Sequence, residues 1–230
     1  FLFLIMNYNI SISKWLLTIM ISIVIIVIVG GITRLTDSGL SIVDWKPIKG
    51  IFPPLNQEQW EVLFSEYQDF PEFKIKNYNI QIDHFKSIFW WEYIHRILGR
   101  LIGLIVCFPY IYMVLNKRLS KRQKKEYSFI LGLVVLQGLI GWFMVKSGLN
   151  HKTFNGVGVS HYWLALHLSL ALSTYCYTFW HYLKINSKVL PLKLENRFHY
   201  GKIIFFTIFV QIVLGGFLAG LEGGIISNKY

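Results

Sequence analysis

Five apolar runs decide what this chain can fold into: Trp15 to Ile32, Ile88 to Leu115, Tyr127 to Val145, Val159 to Leu183 and Ile203 to Leu221. Each reaches the roughly 18 residues that a helix needs to cross a bilayer, and the second and fourth are long enough to tilt or to project beyond the hydrocarbon. Composition agrees, because 54% hydrophobic and 17% aromatic residues make the chain too apolar for an ordinary water-soluble domain. The chain reads as an all-α polytopic membrane protein. Its first run is too long for a signal peptide and lacks a small-residue cleavage site, so it is expected to stay as a helix. The Phe-Leu-Phe-Leu-Ile that precedes Met6 reads as sequence upstream of a natural start.

The formal charge of +11 suggests nucleic acid until its distribution is followed. Lys117, Arg118, Lys121, Arg122, Lys124 and Lys125 crowd the connection between the second and third runs, and Lys184, Lys188, Lys193, Arg197 and Lys202 the connection between the fourth and fifth. The long segment after the first run carries Glu58, Glu61, Glu66, Asp69, Glu72 and Asp83 instead. Basic loops on alternate connections follow the positive-inside bias, which puts the N-terminus on the cytoplasmic (or matrix) side and residues 33–87 outside. The basic charge is topological; the surface partner is membrane lipid and no nucleic acid is expected. Cys107 and Cys176 both fall inside predicted helices and read as small buried apolar residues rather than a disulfide pair.

An internal repeat organises the runs. The first ends in "IVGGITRLTDSG" and the fifth in "VLGGFLAGLEGG", so one constant offset relates Gly30-Gly31 to Gly215-Gly216, Asp37 to Glu222 and Gly39 to Gly224. Paired glycines let another membrane helix approach closely, and the shared acid suggests that the fifth run restarts the architecture of the first. The expected organisation is a cytoplasmic N-terminus (1–13), a four-helix transmembrane half (14–185) with its outer loop (33–87), a basic cytoplasmic linker (186–202), and the first helix of a second, related bundle (203–230). On this reading the chain is truncated or split after its fifth helix.

Charged groups inside a bilayer cost about 2.5–3.5 kcal/mol each on insertion scales, so they face the bundle interior and tend to have a task. The second run carries four polar residues around its "EYIHR" start, Glu92, His95, Arg96 and Arg100, spaced to form one stripe on a helix. A bland alternative pairs Glu92 with Arg96 and lets the rest reach for the interface. In the fourth run, His167 lies about eight residues from the outer start of its helix, as His95 does in the second, which places both roughly 12 Å deep. Two histidines at matched depth on helices running the same way can clamp haem iron inside a four-helix bundle, although a lone membrane histidine is more often a hydrogen-bonded core residue. His161 falls near the opposite face at the water boundary, His84 and His151 in outer loops, and His181 and His199 toward the cytoplasm, so four close ligands for zinc cannot be gathered.

Four stretches carry a resemblance: "GGITRLTDSGLSIVDWKPIKGIFPPL" (30–55), "EYIHR" (92–96), "GWFMVKSGL" (141–149) and "VSHYWLALHL" (159–168). Together they resemble haem A synthase of the mitochondrial and proteobacterial type, over nearly the whole chain from Met6 to Gly224. The resemblance implies eight membrane helices in two related halves, each with a pair of haem-ligand histidines, and oxidation of the haem O ring methyl to a formyl group to give haem A for cytochrome oxidase. It implies that Glu92 is the acid of the chemistry, that His95 and His167 hold haem O through its iron, and that Arg96 is the basic residue closing the motif. Arg34, Arg96 and Arg100 become candidates for the haem propionates, or equally for structural ion pairs. The second pair, which holds haem b, would lie on later helices. Haem O synthase and cytochrome oxidase assembly factors are the implied partners, with an electron donor that the sequence does not name. Two departures stand out: Trp163 occupies a position where an arginine is expected, and "GGIISNKY" (223–230) leaves the family's pattern. The outer loop also lacks the cysteine pair found in one subgroup. Two rival readings are a bis-histidine b-type cytochrome with no catalytic use for Glu92, and an inactive or purely structural subunit.

Overall fold

A computed structural model describes residues 2–44, 49–149, 158–186 and 198–223, all of them helix or connecting turn. The helices are α1 (Leu2–Leu35), α2 (Gln57–Gln68), α3 (Pro71–Ile75), α4 (Ile82–Leu115), α5 (Lys121–Leu149), α6 (His161–Asn186) and α7 (Phe198–Gly220), with a short 3-10 turn at Lys49–Ile51. Most of the basic linker, the final residues from 224 onward and His151 lie outside the described residues.

Among the described residues, four helices are long and apolar enough to cross a membrane: α1 over Ser11–Leu35, α4, α5, and α7 over Gly201–Gly220. The fourth predicted run, α6, has the length at 26 residues but no stretch as apolar as the spans of the other four. Its place in the bundle explains this. α6 packs against α1, α5 and α7, whereas α1, α4 and α5 each pack mainly on two of the long helices and α7 on one. A helix enclosed by protein does not need an apolar surface all round, and α6 spends its interior on Thr174, Thr178 and His181, all buried. Ser169, Ser173, Thr174 and Thr178 each donate to the carbonyl four residues back, which satisfies their hydroxyls within the helix.

α1 packs on α4 and α6, and α5 packs on the same two, so the four helices close into a ring with α4 and α6 on one diagonal. α7 lies outside the ring, against α6. This is the expected four-helix bundle with one helix added. The proposed repeat has a structural counterpart: Asp37 after α1 and Glu222 after α7 both adopt positive φ, at 49° and 55°, as residues do where a helix is terminated by a left-handed turn. Arg34 donates from Nη2 to the carbonyl of Ala219, the residue one repeat away.

The ring has two apolar ends and a polar middle. Trp15, Leu16, Ile19, Val106, Tyr127 and Ile130 belong to a cluster at the basic-loop end, where Trp15 Nε1 donates to the carbonyl of Ile105 at 2.8 Å. At the other end Trp60 and Tyr67 of α2 pack on Phe85, Ile88 and Phe89 of α4. Two short helices in the loop, α2 and α3, were not expected from the sequence. α2 follows from its N-terminus, where the Asn56 side chain accepts from the amide of Gln59 and caps the first turn. α4 also begins at Ile82, earlier than the apolar run suggested, so His84 is exposed on its first turn rather than in a loop.

Candidate functional site

The site is built on the diagonal pair. His95 lies on α4 and His167 on α6, the two helices on the diagonal of the ring, and both residues are half-buried. The depth argument from helix starts does not hold as framed, because α4 projects beyond α6: the helix from Ile82 to His95 is much longer than that from His161 to His167. Counted from the other ends the match is close, since the helix from His95 to Leu115 and that from His167 to Asn186 are nearly equal in length. The extra turns of α4 carry Phe85 and Phe89 and hold α2.

Each histidine is backed by a glycine on a neighbouring helix. A Cβ on Gly30 of α1 would lie 3.1 Å from His95 Nε2, and one on Gly141 of α5 would lie 2.9 Å from His167 Cε1. Neither space admits a larger side chain without moving an imidazole. Gly30 stands in the glycine pair that marked a close helix approach in the sequence, and Gly141 in the "GWFMVKSGL" stretch; what they approach was not legible there. His167 Nδ1 is buried with no hydrogen-bond partner in the structure. An imidazole nitrogen left in that state inside a bundle is one that a further ligand is fit to engage.

Glu92 and Arg96 turn toward the chain that follows α1. Glu92 is 3% exposed. Its Oε2 accepts from Ser41 Oγ at 2.7 Å and from the Ile42 amide at 2.8 Å, while Oε1 accepts from Arg96 Nη2 at 2.6 Å. Arg96 Nη2 also donates to the Ile42 carbonyl at 2.9 Å. The ion pair of the bland alternative is therefore present, and Arg96 is occupied by it. Nearby, Tyr93 donates to the Ile51 carbonyl, and Thr33 on α1 donates to the Trp91 carbonyl at 3.3 Å. The chain at Ser41, Ile42 and Ile51 thus lies along α4 at the level of the site, rather than standing away from it as an outer loop. Ser41 and Ile42 were missed in the sequence because hydroxyl and amide partners leave no periodic signal.

The remaining arginines separate. Arg34 pairs with Asp37 at 3.2 Å and lies 3.8 Å from Glu222, at the helix ends and not beside the histidines. With Thr33, Glu72 and Lys76 these residues line a small cavity of about 50 Å³ that Leu40 and Val159 also border. Arg100 sits further along α4 than His95, and its Nη1 is buried without a partner. Trp163, the departure in α6, stacks on Phe143 of α5 with ring centroids 5.4 Å apart. The other described histidines lie elsewhere: His161 packs against Tyr162 and Phe217 beside α7, and His181 is buried between Tyr127 and Tyr177, 3.7 Å from Glu126.

Among the described residues no group of three His, Cys, Asp or Glu side chains converges as a bare metal ion would require. Haem iron asks for less, since the porphyrin supplies four nitrogens and the protein one or two axial ligands. Two glycine-backed imidazoles on diagonal helices, one with a buried nitrogen still unengaged, fit that demand.

Comparison with known proteins finds relatives over nearly the whole chain. The family model COX15-CtaA, described as a cytochrome oxidase assembly protein, matches residues 13–230. A heme A synthase of Pelagibacter ubique is 45% identical over 226 residues, covering 97% of this chain and 65% of the relative. Heme A synthases of Wolbachia from Brugia malayi and of Rickettsia bellii are 44% and 42% identical, each over 96% of this chain. The chain spans 65% and 66% of the length of those two relatives. No solved structure matches.

Proposed function

Since the chain belongs to the COX15-CtaA family of cytochrome oxidase assembly proteins, an integral membrane family to which its apolar helices conform, we propose that it carries the haem O site of a haem A synthase. The observation behind this reading is that His95 and His167, on the two diagonal helices, are each set against a glycine on the next helix, with His167 Nδ1 buried and unpartnered. Haem O, the substrate, would be held through its iron by the two imidazoles; oxidation of its ring methyl to the formyl group of haem A removes four electrons to an external acceptor and takes one oxygen atom from water or dioxygen. The ring of four helices keeps bulk water from the porphyrin, while Gly30 and Gly141 fix how closely each imidazole rests against its neighbour.

Glu92 is the residue of the chemistry on this reading. It lies about one helical turn from His95, and in this scheme its carboxylate accepts protons released as the methyl carbon is oxidised. The Ser41 hydroxyl, the Ile42 amide and the Arg96 guanidinium hold its carboxylate in one place. Arg96 is a positioning residue in this scheme, and Arg34 belongs to the helix-end ion pairs. The haem b that the resemblance implies needs a separate histidine pair, which the described residues do not supply. Haem O synthase and cytochrome oxidase assembly factors remain the proposed partners. The basic turn between α4 and α5 supports a cytoplasmic or matrix side for that turn and for the N-terminus, with α2 and α3 outside.

The test is conversion of haem O to haem A, followed by chromatography of extracted haem in a host without its own haem A-forming activity. Glu92→Ala should retain haem O and lose haem A production. Normal haem A production by Glu92→Ala would return Glu92 to a structural ion pair and overturn its role here.

A further inference from the structure

The exposed surface of α4 forms one stripe. Trp90, Ile94, Leu101, Leu104 and Phe108 are all exposed, and steps of three, four or seven residues put them on one side of the helix. On a helix long and apolar enough to cross a membrane, such a stripe is the side that lipid covers. The stripe continues beyond the helix. Tyr93, whose ring centroid lies 5.4 Å from that of Trp90, donates to the Ile51 carbonyl and so holds the connection from α1 to α2 against α4. The chain there reads Ile51-Phe52-Pro53-Pro54-Leu55. Phe52 is 76% exposed and Leu55 80%, against 41% for Trp90. The two prolines between them, with φ fixed by their rings, leave the segment little freedom to turn these side chains inward.

Depth decides what covers Phe52 and Leu55. Lys117 and Arg118, in the basic turn after α4, mark one face of the bilayer. From Leu115 back to Tyr93 the helix rises roughly 33 Å, against about 30 Å for the hydrocarbon core. Tyr93, and with it the Ile51 carbonyl, therefore stands at the opposite boundary, the level at which aromatic side chains gather in membrane proteins. The surroundings fit that level. Trp60 of α2 lies 6.2 Å from Trp90 between ring centroids, and Lys86 Nζ lies 5.9 Å from the Trp60 ring, so an apolar body is joined to a charged tip just above the stripe.

We propose that Phe52 and Leu55 insert into the phospholipid interface at the end of α4 remote from the basic turn, and that residues 51–55 anchor the connection from α1 to α2 to the bilayer. Phospholipid is the occupant because the patch is continuous with the lipid-facing stripe of α4 and lies at the depth where acyl chains meet headgroups. The same connection supplies Ser41 and Ile42 to Glu92, so it is held at one end by a buried carboxylate and at the other by the membrane. The anchor does not depend on what the bundle binds.

Spin labels on the whole chain, reconstituted in phosphatidylcholine vesicles, test this directly. With Cys107 and Cys176 replaced by alanine, single labels are attached at Phe52→Cys and Leu55→Cys. Leu101→Cys, on the exposed stripe of α4, is the lipid reference, and Ser65→Cys, exposed on α2, is the water reference. Power saturation compares collisions with oxygen, which concentrates in lipid, and with a nickel chelate confined to water. Labels at both positions should favour oxygen, as at Leu101, and shift to the opposite side from Ser65. A preference for the nickel chelate at either position overturns the proposal. So does shielding from both reagents, which would mean that a second copy or another protein covers the patch in place of lipid. Should one variant fail to reconstitute, the other decides.

Discussion

Gly141→Ala probes the site through a single methyl group. The new Cβ would lie 2.9 Å from His167 Cε1, 3.4 Å from Nδ1 and 3.7 Å from Nε2. Carbon atoms in good contact sit about 3.5–4.0 Å apart, so the ring must retreat by roughly 0.6–1.1 Å. It cannot do so freely, because the His167 backbone is tied to Gln137 of the same α5 helix. Misplacement of a site group by about 1 Å can cost as much as 10²-fold, so haem affinity should fall roughly 10- to 100-fold, or about 1.4–2.8 kcal/mol. Gly138→Ala is the matched control, since its Cβ would meet nothing within 4 Å. There alanine should leave haem binding unchanged and favour the helix by roughly 0.5–1 kcal/mol. Haem titration followed at the Soret band, with thermal unfolding of both variants in parallel, separates a moved ligand from a damaged helix. Equal haem affinity in the two variants would refute the claim that Gly141 sets the position of His167.

Glu72, buried in the outer segment beside Tyr67, has its carboxyl pushed up to about 8, first by burial and then by repulsion from Glu92 and Asp37, against the opposing pull of Lys76. The folded protein therefore holds this proton more tightly than the unfolded chain. The resulting stability is present below the ordinary carboxylate range and is lost as pH rises toward about 8. Thermal unfolding should show the parent losing on the order of a few kcal/mol between about pH 5 and 8, while Glu72→Gln flattens that slope; an unchanged slope in the variant would reject the assignment. For topology, a cysteine at exposed Ser65 should react with an impermeant maleimide in intact cells and one at exposed Ser120 should not, and the reverse pattern would overturn the orientation.

The sequence made the architecture legible because a bilayer reduces folding to a pattern of long apolar runs, and α1, α4, α5 and α7 satisfy it directly. α6 satisfies it less well because its neighbours, not lipid, cover much of it. His95 and His167 were matched by a count from helix starts, and that count misled, because aromatic contacts with α2 extend α4 past the apolar run. The contacts of Glu92 were half legible. A partner one turn along the same helix, Arg96, follows from periodicity. Ser41 and Ile42 are far away in sequence and are brought in by a descending loop whose turns carry no repeating signal. Glycine pairs announced close packing without saying that imidazoles would fill the space.

The most direct test of the central claim is the spectrum of the oxidised, haem-loaded protein, because iron with two imidazoles is six-coordinate and low-spin, whereas iron that has lost one is not. The parent should give the low-spin spectrum, and His95→Ala and His167→Ala should each abolish it or release the haem. A parent spectrum retained in either variant would contradict the placement of haem between His95 and His167.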